Sequence, residues 1–155
     1  SLSVGPSELE GVSRMTFVVR ATDRELHQVT SQLDKLINVF GIEDVSGDST
    51  VVREMALIKV RAPGSTRTEI LQLVDIFRAH VVDVSMDAVI VQIVGPEDRV
   101  ESLIDLLDNF GILEMSRTGR VAMVRGSVTH EPQSFTEPTV TATQGKVDDS
   151  NGHLN

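Results

Sequence analysis

The chain has no cysteine, no tryptophan and no tyrosine, and only 3% of its 155 residues are aromatic. Without thiols there is no disulfide framework, no thiolate nucleophile and no cysteine zinc site, so a reducing, intracellular setting is the expectation. Positive charge is scarce as well: 14 Lys and Arg face 23 Asp and Glu, for a formal charge of −9. Such a surface repels phosphate backbones, which disfavours nucleic-acid binding. The five Phe stand apart from any basic run, so no stacking platform with an electrostatic groove is present in the pattern. No apolar stretch approaches the roughly 20 residues that a membrane helix needs. The first residues, Ser1-Leu2-Ser3-Val4-Gly5, lack the basic region and apolar core of a signal peptide. They also lack an initiator Met and open without a cap or turn, so the chain is expected to start inside a strand.

What is there is 40% hydrophobic, enough for one compact domain or two very small ones. From residue 1 to about 126 the hydrophobic period switches repeatedly between two and 3.6, the sign of mixed α and β structure. Met15, Phe17 and Val19 alternate with Thr16, Val18 and Arg20, which predicts a half-buried strand. Thr22 and Glu25 form a capping box for a helix with the stripe Leu26, Val29, Leu33, Leu36 and Ile37. Val39, Phe40, Ile42 and Val45 predict a further strand, closed by Ser46-Gly47-Asp48-Ser49. Residues 47–53 read as a polar connection, followed by a strand in which Ala56, Ile58 and Val60 alternate with Leu57, Lys59 and Arg61.

Pro63-Gly64 breaks that strand. Thr66 and Glu69 predict a second capping box, and Ile70, Leu73, Val74 and Phe77 line one helix face. Strands at 81–85 and 88–94 follow, joined around Met86-Asp87 as in a hairpin. Gly95-Pro96 opens another helix, with Pro at its first position and the stripe Val100, Leu103, Ile104 and Leu107. Strands at 112–116 and 121–124 close the folded part. Residues 127–155 differ in kind, with Pro132, Pro138, eight Ser or Thr and no apolar period, and read as a disordered acidic tail.

The elements from 54 to 117 run β-α-β-β-α-β, the split ferredoxin-like order, whereas residues 1–46 read only β-β-α-β. The fold class is therefore α+β: two tandem ferredoxin-like units, the first without its opening strand and helix. Phe40-Gly41-Ile42 and Ser46 return as Phe110-Gly111-Ile112 and Ser116, in the position that an alignment of the two units requires.

Catalytic material is poor. His27 falls on the polar side of its helix, His80 sits at a helix exit suited to capping the last carbonyls, and His130 and His153 lie in the tail. No H-x-x-x-H or H-E-x-x-H spacing exists for a metal. Glu43-Asp44 and Glu97-Asp98 read as a solvated strand end and an acidic first helix turn. Pro63-Gly64-Ser65 reads as a turn, since neither G-x-G-x-x-G nor a P-loop lysine accompanies it. Arg78 and Asp83 stand out as charges beside an apolar face, either paired with each other or contacting a partner.

Six stretches together resemble the small, regulatory subunit of acetolactate synthase (acetohydroxyacid synthase). They are Ser1-Leu2-Ser3-Val4-Gly5-Pro6, Ser13-Arg14-Met15-Thr16, the run from Gln32 to Val39, the run from Arg53 to Val60, Val74 to Ala79 with Val81 to Val84, and Arg117-Thr118-Gly119-Arg120-Val121-Ala122. The resemblance covers residues 1 to about 126. It implies a partial ACT domain over 1–47 and a C-terminal ferredoxin-like domain over 48–126, ahead of the tail read from composition over 127–155. It implies no active site and no cofactor on this chain. Thiamine diphosphate, Mg and FAD are expected on a separate catalytic (large) subunit, which the small subunit binds and activates in branched-chain amino-acid synthesis.

A homodimer, and feedback inhibition by valine or a related amino acid, are further implications. Family members carry another strand and helix at the front, with the loop that holds the effector, so this chain is expected to be N-terminally incomplete. Of the effector-pocket wall only Leu2, Ser3, Val4 and Gly5 are carried over, while Arg78 and Asp83 are the partner-contact candidates. The implied location is the cytoplasm, or the plastid stroma in a photosynthetic eukaryote. A free-standing amino-acid-sensing module and a small enzyme of unknown type are the alternatives.

Overall fold

The alternation in the middle of the chain produces one long strand around which half the protein is built. The structure, a computed structural model, describes residues 1–127. Among these described residues seven strands and three helices run in the order β1 (Leu2–Pro6), β2 (Ser13–Phe17), α1 (Asp23–Leu33), β3 (Thr50–Arg61), α2 (Arg67–Ile76), β4 (His80–Val84), β5 (Ala88–Gly95), α3 (Glu97–Asp108), β6 (Ile112–Arg117) and β7 (Val121–Val124). The expected tail lies outside the described residues from 128 onward.

β3 pairs antiparallel with β5 on one side, and on the other with β6 and, through its first residues, with β7. With β4 outside β5, the sheet order is β4-β5-β3-β6, the ferredoxin-like arrangement expected for the second unit. Ala56, Ile58 and Val60 meet Val89, Val91 and Ile93 on one face of the sheet. Ile70 and Val74 of α2 and Val100, Leu103 and Leu107 of α3 close over that face, all buried. At roughly 1.5–3 kcal/mol for each such side chain buried, this one face dominates the stability of residues 50–124.

Several expectations change. The supposed polar connection over 47–53 is half strand: Thr50–Arg53 belong to β3, because Val121–Val124 supply a partner ladder for them. Residues 39–45 form no strand, and Phe40 and Ile42 are exposed. A strand exists only by pairing, and the two-stranded β1–β2 sheet is not joined by this segment. The face of Met15, Phe17 and Val19 is exposed rather than half-buried; β2 buries more of Thr16 instead.

Helix α1 stops at Leu33, so Leu36 and Ile37 leave its stripe and face solvent. Its capping box forms as expected, with Thr22 Oγ1 accepting from the Glu25 amide and Glu25 accepting from the Thr22 amide. His80 begins β4, opposite Gln92, and caps no helix. Pro96 is the residue before the first turn of α3, not within it, and the acidic first turn of Glu97 and Asp98 is as expected.

The second capping box does not form. Thr66 sits in a helical conformation, its amide bonds to the Pro63 carbonyl at 3.1 Å, and its side chain caps nothing. The start of α2 is held instead by Arg67, whose guanidinium donates to the carbonyls of Ala62, Ser85 and Met86. Thr66 Oγ1 is buried without a hydrogen-bond partner, an arrangement that costs about 1–3 kcal/mol. Thr66→Val is nearly isosteric, removes that hydroxyl and sacrifices no cap. It is expected to stabilise the protein by about 1 kcal/mol in urea unfolding, and a loss of similar size would contradict the account.

Candidate functional site

β1 and β2 pair so that Leu2 stands opposite Phe17 and Val4 opposite Met15. The pleat puts these four side chains on one face. Leu2, Val4 and Met15 are each 54–55% exposed and Phe17 49%, and α1 has no buried residue. Of the residues expected in the effector wall, Leu2 and Val4 thus line an open apolar face, while Ser3 and Gly5 turn to the other side and are half-buried. A Cβ on Gly5 meets nothing within 4 Å, so an added side chain clashes with none of the described residues.

Ser3 leads to the second feature, a cleft of about 230 Å³ between the N-terminal hairpin and the sheet. Glu54, Met55, Val94, Thr118, Gly119 and Val121 are among the residues that line it. Glu54 was not among the sequence candidates, yet it is the one buried charged or polar residue among those described. It occupies the inward register of β3, two residues before Ala56, where the alternation reserves space for an apolar side chain. That position was the available signal, since an inward-pointing carboxylate must be paired.

Its partner is Arg117, at the end of β6. One Arg117 nitrogen donates to Glu54 Oε1 at 2.5 Å and the other to Glu101 Oε2 of α3 at 2.8 Å. The hydrogen bond to Glu54 is the main cause holding the Arg117 guanidinium above its usual range. Three residues on, Arg120 pairs with Glu97 at the start of α3. The two arginines frame the Thr118-Gly119 turn, and Thr118 exchanges hydrogen bonds with the backbone of Met55 at 2.9 Å.

Arg78 and Asp83 are not brought together: among the described residues no ion pair joins them. Arg78 follows α2 in a left-handed conformation, φ 51°, with its amide donating to Asp75 and the Ala79 amide to Val74. It is the reversing residue that ends the helix, a place usually taken by glycine. Asp83 lies on the open face of the sheet, opposite Ile90, which is itself opposite Lys59. Lys59 is bonded to Glu114 at 2.9 Å, which raises the lysine and lowers the glutamate from their ordinary pKa values.

Among the described residues no group of three or more His, Asp or Glu is placed to hold a metal, and His27 and His80 are both exposed and far apart in the fold order. Among the described residues no helix is long and apolar enough to cross a membrane.

Two family profiles match the chain. One, described as the small subunit of acetolactate synthase, covers residues 53–126; the other, the AHAS small subunit-like ACT domain, covers residues 1–41. The probable acetolactate synthase small subunit of Methanothermobacter thermautotrophicus is 47% identical over 130 residues, 83% of this chain and 77% of that protein. This chain belongs to the acetolactate synthase small-subunit family.

The acetolactate synthase small subunit of Bacillus subtilis is 48% identical over 128 residues, 82% of this chain and 74% of its own length. The crystal structure of the small subunit from Thermotoga maritima superposes with a TM-score of 0.74 at 41% identity, over 83% of this chain and 80% of that one. The ACT-type ferredoxin-like architecture expected for both units is therefore that of the family.

The buried carboxylate yields a stability prediction. Glu54→Gln leaves Arg117 facing a neutral amide while Glu101 remains, and is expected to cost about 2 kcal/mol in urea unfolding, below the range for a fully buried pair. A change under roughly 0.5 kcal/mol would mean that Arg117 takes its hold from Glu101 alone.

Proposed function

We propose that this chain is a regulatory subunit that binds and activates the thiamine-diphosphate-dependent catalytic subunit of acetolactate synthase, and conveys feedback inhibition by valine or a related branched-chain amino acid. It contributes no catalytic residue. Family membership across both units is the observation that carries this reading, since relatives from archaea and bacteria bear the small-subunit name. Thiamine diphosphate, Mg and FAD belong, in this reading, to the catalytic subunit.

The open face of Leu2, Val4, Met15 and Phe17 supports a homodimer formed through the N-terminal unit, because an isolated two-stranded sheet is marginal in water and gains from being covered. A light-scattering mass of twice the chain mass at tens of micromolar is expected, reduced toward the monomer by Phe17→Glu. A monomer at that concentration would refute the pairing.

Activation has its own test. Mixed with its catalytic subunit, the protein is expected to raise acetolactate formation severalfold. Arg78 separates two roles cleanly, because Arg78→Gly removes the side chain while suiting the left-handed backbone, and is expected to stabilise the fold by about 0.5–1 kcal/mol. Weakened activation together with a raised melting temperature identifies Arg78 as a partner contact. Full activation by the variant rejects that role. Valine binding in calorimetry without any activation would favour the free-standing sensing module instead.

A further inference from the structure

The N-terminal strand does not merely precede the C-terminal unit; it rests on it at one turn. A Cβ built on Gly119 lies 2.6 Å from the Leu2 carbonyl carbon and 2.9 Å from the Ser3 nitrogen, closer than real Cβ atoms come to backbone. Gly119 has no positive φ to explain its identity; what requires glycine is the close approach of another backbone. The neighbouring Arg120 amide donates to Ser1 Oγ at 3.5 Å, and Ser3 shares a cleft with Thr118, Gly119 and Val121.

The turn itself is braced from below on three elements. Arg117 is anchored to Glu54 of β3 and Glu101 of α3, Thr118 to the backbone of Met55, and Arg120 to Glu97 of α3. β1 in turn is laced to β2 through its register and through the reciprocal Ser1–Val18 backbone bonds at 2.9 Å. A displacement of β1 toward the sheet presses on this turn, and a turn that yields strains the ion pairs to β3 and α3. Packed contacts of this kind carry coupling only if they shift as a unit, which the shared bracing favours.

We propose that the Thr118-Gly119-Arg120 turn is a joint that couples the N-terminal ACT-type unit to the C-terminal domain, with Gly119 as the seat of β1 and Arg117 and Arg120 as its braces. Its regulatory consequence rests on the function proposed above: the joint carries the effector-dependent disposition of β1 into the domain.

Hydrogen exchange on the full chain tests the joint without any partner. Gly119→Ala is expected to speed amide exchange in β1 and β2 by at least about tenfold while β3, β5 and α3 keep their protection within about twofold. Glu97→Gln, which leaves Gly119 intact and loosens Arg120, is expected to give a selective rise of about threefold in β1. β1 amides that are unprotected in the parent protein, or equally protected in both variants, overturn the proposal. If Gly119→Ala loses protection throughout, Glu97→Gln decides: a selective rise in β1 supports the joint and none overturns it.

The regulatory arm uses the complex with the catalytic subunit. Gly119→Ala is expected to keep activation within about twofold and to raise the valine concentration for half-inhibition at least about tenfold. Inhibition identical to the parent overturns the coupling role. A parent that neither activates nor responds to valine refutes the proposed function, while the exchange result still decides the joint.

Discussion

The register of β3 is the constraint on which the C-terminal domain depends. Twelve residues long, it carries Ala56, Ile58 and Val60 into the core and serves as the ladder for β5, β6 and β7 alike. Because side chains alternate with a period of two, a slip of one residue would turn Leu57, Lys59 and Arg61 inward and leave the stripes of α2 and α3 without an apolar floor. It would also bring Glu54 outward and detach it from Arg117. Core packing and the ion pair of the buried Glu54 with Arg117 therefore enforce the same alignment.

Most of that alignment was legible in the sequence, because it arises from strong periodicities. The stripes Ile70-Leu73-Val74-Phe77 and Val100-Leu103-Ile104-Leu107 and the alternation from Ala56 to Val60 become the core in the expected roles. The Thr22–Glu25 box was legible for another reason: both partners lie within one turn, so no distant contact decides it. The same pattern misled at Thr66 and Glu69. There Pro63 starts the turn early and Arg67 takes over the anchoring, so the hydroxyl ends buried and idle.

What was not legible depends on distant partners. Val39, Phe40, Ile42 and Val45 have good strand composition, but composition does not supply a neighbouring strand. Thr50–Arg53 show the converse, gaining strand structure from β7 some seventy residues away. The candidate site divides along the same line. Leu2, Ser3, Val4 and Gly5 could be placed on a strand from their own pattern. The turn at Gly119, and the arginines that hold it, became visible only when the two units stood together.

The grip of Arg67 bears on what kind of motion this domain can undergo. One planar fork holds the end of β3 at Ala62 and the β4–β5 hairpin at Ser85 and Met86, at the first turn of α2. At the opposite end of α2, Arg99 of α3 reaches the Phe77 carbonyl at 2.5 Å. With both tips pinned to different elements, α2 has no axial freedom, and a helix that slides by a fraction of a turn would have to break guanidinium–carbonyl bonds at either end. Shear between the layers of residues 50–124 is thereby the costly movement, so a push at one edge of the domain is passed on to it as a block.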